Sequence, residues 1–509
     1  MNVVPPVIGQ VDHAGSVLYC PSSLSGHASH ETSPTRKVAQ NRMTISTRPR
    51  TIGELRESGY KVLPVKEEMR RNLIQKIRNG EELFPGIIGY EETVIPQIEN
   101  AILSCQDIIF LGERGQAKTR MARALVNLLD EEVPVIAGCE INDSPFAPVC
   151  KACRDKIEEF GDNVEIAWLP RDRRYGEKLA TPDITISDLV GEVDPVRVAE
   201  GRYLSDELTI HYGMIPRTNR GIFCINELPD LAERIQVGLL NIMEERDVQI
   251  RGYKIRLPLD VYVVASANPE DYTNRGRIIT PLKDRIGSEI RTHYPRTVEH
   301  EMQIMEAEST PFPADGLEVV YPQFMKEVIA EFTQLARRSS DISQRSGVSV
   351  RVSISNYENV LSNAYRRALR LRERYVAPRV SDLSGIIAST GGKIELDTVG
   401  DVKEERIIQK LLNNAILSVF GDYFEAREFD QLVAGFERGL SVQVGDDMPS
   451  MEYVNQLAKV GGLSKAIDKL HARGNPASIA SAVEFILEGL HLNRRLNKET
   501  TSGKVRYRR

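Results

Sequence analysis

Residues 112–119 read GERGQAKT, between the apolar run DIIFLG (107–112) and TRMARALVNLLDE (119–131), which has helical spacing. A glycine-bearing turn from a strand into a helix constrains this chain more than any other feature. Backbone N–H groups at such a turn and at the helix start point one way and suit a phosphate. The pattern for that job is G-x-x-x-x-G-K-[ST]. Gly112, Lys118 and Thr119 fit it, and Ala117 stands where the pattern has glycine. On this reading Gly112, Glu113, Arg114, Gly115, Gln116, Ala117, Lys118 and Thr119 bind a nucleotide. Lys118 would reach the outer phosphates and Thr119 would ligate Mg2+. The alternative is a surface turn with a chance G…KT.

Three further apolar runs, VPVIAG (133–138), GIFCIN (221–226) and VYVVASAN (261–268), are short, β-branched and bounded by Gly, Pro or charge. Such runs predict strands buried on both faces, as in a parallel sheet. With the helical stretch between the first two, the order is βαβ. Two of the strands end in polar residues: Asn226 and Glu227 follow one, and Asn268 ends the other. Acids at such a strand end can hold Mg2+ and orient water, and Asn268 is placed to hydrogen-bond that water.

The expected organisation has five parts. Residues 1–45 are rich in Ser, His, Pro and Thr without a period and are expected to be disordered, with Met43 a candidate start. Residues 46–85 carry a charged helical pattern, VKEEMRRNLIQKIRNGEEL. Residues 86–295 alternate strands and helices, 296–400 form a helical lid, and 401–509 a helical C-terminal domain. The last stretch, NRRLNKETTSGKVRYRR (493–509), is basic and is expected to be a solvated tail, with RNA or partner binding as the sharper alternative. No apolar run reaches the 18 or more residues of a membrane span, and the N-terminal stretch lacks a basic region ahead of its apolar residues, so no secretory signal is expected. A net charge of −6 gives no general argument for nucleic acid, and none is expected as a partner. Six cysteines in 509 residues argue for reduced thiols and a cytoplasmic setting.

The segment from about 85 to 400 resembles the AAA+ ATPases of the MoxR and magnesium-chelatase ATPase-subunit branch. MoxR-type loops often read G-x-x-G-x-A-K-T, which Gly112, Gly115, Ala117, Lys118 and Thr119 spell. The resemblance implies an α/β fold: a P-loop parallel-sheet core with inserted hairpins, then a helical lid and a helical C-terminal domain. It implies ATP and Mg2+ at the loop, Glu227 as the acid that polarises water, and Asn268 as the first sensor. Arg285, in LKDRIG, resembles the finger that reaches a neighbouring subunit's γ-phosphate. SGVSVRVS resembles the lid's G-x-S-x-R-x-S stretch and makes Arg351 the second sensor. FPGIIGYEETV resembles the segment packed on adenine, with Ile88 and Gly89 nearest. A hexameric ring is implied. Residues 188–221 and 243–260 resemble the branch's hairpin inserts, and VQIRGYKIRL alternates as strand, turn and strand. The chain departs from the family at Asn226, where members usually carry Asp. Asn keeps an acceptor but loses the charge, which implies weaker metal binding at Thr119, Asn226 and Glu227 and slower turnover.

The stretch GCEINDSPFAPVCKACRDK gathers Cys139, Cys150 and Cys153. The last two have zinc-knuckle spacing, and structural zinc takes four ligands. Asp143 and His211 are the candidates for the fourth, and plain reduced thiols are the alternative. Cys224, inside an apolar strand, is expected to be core.

The expected function is an ATP-hydrolysing AAA+ motor that remodels a partner protein on another chain. One rival is the ATPase subunit of magnesium chelatase, acting on a porphyrin. Another is a nucleotide-gated scaffold with little hydrolysis, which Asn226 favours. A sigma-factor activator would need a GAFTGA-like loop, and none is visible.

Overall fold

Side chains alternate between two hydrophobic layers along the central strands, which fixes a sheet covered on both faces. The computed structural model describes residues 48–199, 206–244, 247–249, 256–269, 277–313, 316–343, 347–396, 404–457, 462–501 and 504–509. The segment 1–45, with Met43 and Cys20, lies outside the described residues, as do residues 250–255, which hold the expected turn of the second insert, and residues 200–205 of the first.

The strands are β1 (Ile108–Leu111), β2 (Glu132–Ile136), β3 (Ile166–Pro170), β4 (Tyr175–Leu179), β5 (Gly221–Asn226), β6 (Val261–Ala267) and β7 (Ser288–Arg291). Five of them form one parallel sheet in the order β7-β1-β6-β5-β4. Ile108, Phe110, Ile222, Cys224, Tyr262 and Val264 face one layer. Ile109, Leu111, Phe223, Ile225, Val263 and Ala265 face the other. Helices α1 (Ile52–Glu57) and α2 (Val65–Asn79) precede the sheet, and α3 (Lys118–Ala124) follows β1. Met69 and Leu73 of α2 join the first layer. Arg174 forms a bidentate ion pair with Glu68 at 2.7 Å, both buried, so α2 is held by charge as well as by packing.

One expected strand lies elsewhere. The run 133–138 reads as a sheet strand, but β2 pairs antiparallel with β3 in a separate ribbon. Its carbonyl at Pro134 accepts from the buried Arg220 guanidinium. The position next to β5 goes to β4, whose sequence YGEKL is neither apolar nor cleanly alternating. Continuous apolar character reports burial on both sides, not the partner strand.

Beyond the sheet, α4 (Lys151–Phe160) follows β2, and α5 (Thr280–Arg285) precedes β7. The helices α6 (Val298–Glu308), α7 (Gln323–Arg338), α8 (Val350–Leu371), α9 (Glu404–Tyr423) and α10 (Pro476–Leu492) then share a single buried cluster that includes Met305, Phe332, Val360, Phe420, Phe485 and Tyr507. The first insert pairs Gly191–Val193 with Ile210–Tyr212, and the second pairs Asp247–Gln249 with Arg256–Pro258, both antiparallel as hairpins require.

The C-terminal stretch is not a solvated tail. Asn497–Thr501 and Lys504–Arg508 pair with each other, and the latter pairs with Val442–Val444. In KVRYR the alternation turns Tyr507 inward, only 2% exposed, and Arg506 and Arg508 outward. The Tyr507 hydroxyl donates to Glu488, which also receives Lys498 Nζ at 2.8 Å.

Candidate nucleotide site

The turn from β1 to α3 adopts the shape its glycines permit. Ala117 has φ 55°, in the left-handed region where glycine is favoured. Its methyl costs roughly 1–2 kcal/mol there, which a helix-starting loop can carry. Gly115 has φ 76°, and a Cβ on it would lie 2.0 Å from Ser349 Oγ. A Cβ on Gly112 would lie 1.9 Å from Thr292 Oγ1. Gln116 Oε1 accepts from Thr292 Oγ1 at 2.7 Å, and the carbonyl of Arg114 accepts from the Tyr294 hydroxyl at 3.0 Å. The loop is therefore held from outside at Gly112, Arg114, Gly115 and Gln116.

Lys118 is 7% exposed. Its Nζ donates to the Gly112 carbonyl, to the Glu113 carbonyl at 2.9 Å and to Asn268 Oδ1 at 2.7 Å. Asn268 in turn donates through Nδ2 to Glu227 Oε2 at 2.6 Å. Lysine, asparagine and glutamate thus form one chain across the ends of β1, β6 and β5, which are neighbours in the sheet. Glu227 has φ 57°, a left-handed kink just past β5, and its N–H donates to Ser266 Oγ at 3.2 Å. Thr119 sits half-buried on the first turn of α3.

Asn226 has a partner that its motif does not announce. Its Nδ2 donates to Glu177 Oε1 at 2.7 Å, and its Oδ1 accepts from Ser266 Oγ at 3.2 Å. Glu177, on β4, also receives Arg123 through Nε and Nη2 at 2.7 and 2.9 Å. Burial alone would raise the Glu177 pKa. The Arg123 guanidinium, with help from Tyr175 and Asn226, outweighs it and holds the carboxyl below the usual range. Glu177 is therefore an ionised acceptor, and it takes the amide's NH2 end. Nothing in YGEKL marks this residue, because the contact depends on which strand lies beside β5.

A pocket flanks the loop, lined by Gly86, Ile88, Tyr90, Ala117, Pro295 and Val350 among others. Gly89 approaches the His300 ring, where a Cβ would be 3.0 Å from Nδ1. A larger hollow at the first insert, lined by Ser187, Glu192, His211 and Arg217, shares no residue with it. The smaller pocket is the candidate nucleotide site because it borders the 112–119 loop. Two expected site residues stand on other elements. Arg285 is in the last turn of α5, where Nη1 donates to the Pro281 carbonyl at 2.9 Å. Arg351 is exposed near the start of α8, its N–H donating to Ser349 Oγ at 3.2 Å.

The cysteines converge in the loop between β2 and α4. One ligand atom each from Cys139, Asp143, Cys150 and Cys153 lies within 4.8 Å of all the others. His211 is not part of this group. Cys224 is fully buried in β5, as core. Among the described residues no helix is long and apolar enough to cross a membrane.

Comparison with known proteins places this geometry in context. The family model described as the Sigma-54 interaction domain matches residues 200–287, which hold β5, Glu227, Asn268 and Arg285. The magnesium-chelatase subunit ChlI of Nostoc sp. is 28% identical over 232 residues, 44% of this chain and 58% of that protein. The ChlI homolog of Methanocaldococcus jannaschii is 26% identical over 214 residues, 40% of this chain and 53% of that protein. The chain thus spans little more than half the length of these relatives. Among solved structures, a cryo-EM-based complex of magnesium-chelatase subunits BchI and BchD is 20% identical, with a TM-score of 0.33, covering 65% of this chain and 98% of that one.

Proposed function

We propose that this chain, an AAA+ ATPase of the magnesium-chelatase subunit I type, binds ATP with Mg2+ at residues 112–119 and hydrolyses it to remodel or activate a partner protein on another chain. The observation that carries this reading is the chain of hydrogen bonds from Lys118 through Asn268 to Glu227. The Nζ of Lys118, an almost buried cation, donates to the Gly112 and Glu113 carbonyls and to Asn268 Oδ1, and an anionic phosphate is a stronger acceptor than a carbonyl or amide oxygen. Backbone N–H groups at the start of α3 add to that preference.

Each residue then has a role. Lys118 binds phosphate oxygens. Thr119, Asn226 and Glu227 are the residues to hold Mg2+, directly or through water, and that ion would neutralise phosphate charge. The Glu227 carboxylate, fixed by the Asn268 amide, orients and polarises water. Glu177 is a positioning residue: by engaging the NH2 end of Asn226 it fixes which way the amide faces, with Oδ1 turned toward Ser266. Ile88 and Gly89 pack on the base. Arg285 reaches the γ-phosphate held by a neighbouring subunit, which requires a ring, and a hexamer is the ring size the resemblance implies. Arg351 acts from the lid, whose α8 start touches the loop where Ser349 meets Gly115. A cytoplasmic setting suits the free cysteines, three of which, Cys139, Cys150 and Cys153, we read as holders of zinc.

The relatives' names favour one specialisation, the ATPase subunit of a magnesium chelatase. Asn226 favours another, a nucleotide-gated scaffold with little hydrolysis, although the Glu177 contact weakens that case. The ATP-binding reading is tested by Lys118→Ala, which removes the cation facing the phosphates. Binding of a fluorescent ATP analogue should be lost, and unchanged affinity would contradict the site.

A further inference from the structure

We propose that Asp143 closes a mixed zinc site with Cys139, Cys150 and Cys153, and that this ion is structural, fixing the loop on which the first insert is seated. The inference rests on the reading of the three cysteines as zinc ligands and adds the fourth ligand and the role.

The protein leaves one buried carboxylate only half satisfied. Asp143 is 0% exposed. Its Oδ2 accepts from the N–H groups of Val149 and Cys150 at 3.0 and 2.9 Å. Its Oδ1 is buried with no hydrogen-bond partner. A buried polar atom left so is destabilising, and more so when it is charged. Three plain thiols nearby, none of them bonded to Oδ1, give no reason for it. A cation beside that oxygen does, and three sulfurs and Oδ1 already lie within 4.8 Å of one another. Tetrahedral zinc, with bonds of about 2.3 Å to sulfur and 2.0–2.2 Å to oxygen, needs ligand separations of about 3.5–3.8 Å. Closing the group takes a contraction of roughly 1.3 Å or less by that measure.

The backbone is arranged for thiolates. The Asp143 N–H donates to Cys139 Sγ at 3.3 Å, and the Cys153 N–H donates to Cys150 Sγ at 3.4 Å. Cys150 caps α4 and Cys153 lies in its first turn, so two ligands sit at a helix start, where negative charge is favoured. A thiolate-rich set selects zinc over magnesium or calcium. Four protein ligands leave no open position, which marks a structural ion.

The loop's contacts say what the ion would steady. Cys150 and Cys153 pack with Ile52 and Leu55 of α1 and with Ile136 and Ile166 of the β2–β3 ribbon, and Tyr212 of the first insert packs against the same cluster. Asn219 donates to the Ile141 carbonyl at 3.1 Å, and Asn142 donates to that of Arg217 at 2.8 Å. Arg217 and Asn219 lie in the segment that leads from the insert into β5, the strand that ends in Asn226, just before Glu227.

Metal analysis of the purified full chain comes first, followed by Co2+ replacement read by absorption. The intact protein should hold about one zinc per chain, and its cobalt form should show tetrahedral bands with thiolate charge transfer. Asp143→Cys should bind the ion and raise the charge-transfer intensity, as three thiolates become four. Asp143→Asn, which preserves volume and an acceptor for the Val149 and Cys150 N–H groups, should weaken zinc at least tenfold in a chelator competition. A metal-free, folded protein that also fails to take up Co2+ would overturn the zinc reading altogether. Full zinc with unchanged affinity in Asp143→Asn and an unchanged spectrum in Asp143→Cys would spare that reading and overturn Asp143 as the fourth ligand.

Discussion

At the scale of single residues, the least expected finding is the pairing of Asn226 with Glu177. From the motif alone, Asn226→Asp is a repair that restores the usual acid. The structure reverses that expectation. An aspartate at this position would face the Glu177 carboxylate, which now accepts from Asn226 at 2.7 Å. Two carboxyls sharing a site repel each other, which raises the pKa of one of them and disfavours a second charge there. Asn226→Asp should therefore leave the Mg2+ requirement of ATP hydrolysis unchanged or raise it, by up to about tenfold, or ~1.4 kcal/mol. Glu177→Gln combined with Asn226→Asp should recover what the single change loses. Mg2+ titrations of phosphate release in the three proteins decide it, and a several-fold lower requirement in Asn226→Asp alone would reject the role given to Glu177. The loop residues were legible because their spacing is local. Lys118 and Thr119 sit where the pattern puts them, and Ala117 shows in its φ why glycine is the usual residue. Glu177 was not legible, since 49 positions separate it from Asn226 and only the strand order joins them.

At the scale of elements, strands with continuous apolar runs could be read and edge strands could not. β1, β5 and β6 are in the middle of the sheet and are apolar on both faces. β4 and β7 are at its edges, with charged residues at Glu177, Lys178, Glu289 and Arg291, so neither pattern for a strand applied. β2 had the right composition but the wrong partner. The C-terminal strands failed for another reason. Seven Lys and Arg in 17 residues conceal an alternation that buries Tyr507. This gives a prediction at the same scale: deleting residues 504–509 should lower the thermal midpoint, because it strips a strand from a three-stranded sheet and leaves Glu488 without its Tyr507 donor. A solvated tail could be removed with no change in a melting curve, and that result would contradict the packing described.

At the scale of the whole molecule, the proposed function needs more than one chain. In that proposal Glu227 serves the nucleotide of its own subunit and Arg285 that of a neighbour. Arg285→Ala should bind ATP normally and lose hydrolysis. Mixed with Glu227→Gln it should regain activity, because some interfaces pair an intact Glu227 with an intact Arg285. Absence of rescue at every mixing ratio, with mixed rings verified by mass, would remove the case for action in trans. The oligomer itself is read by light scattering with and without nucleotide.

The most direct measurement of the central claim is a comparison of Glu227→Gln with the parent protein in two assays, affinity for a fluorescent ATP analogue and steady-state phosphate release. The amide keeps the volume and can still accept from Asn268, so the loop and Lys118 should be undisturbed. It cannot polarise water as a carboxylate does, and loss of that role typically costs 10²–10⁴ in rate. The account predicts affinity within about twofold of the parent, well under ~1 kcal/mol, and phosphate release at least a hundredfold slower. Phosphate release at the parental rate would show that the chain across β1, β6 and β5 is not the hydrolytic site.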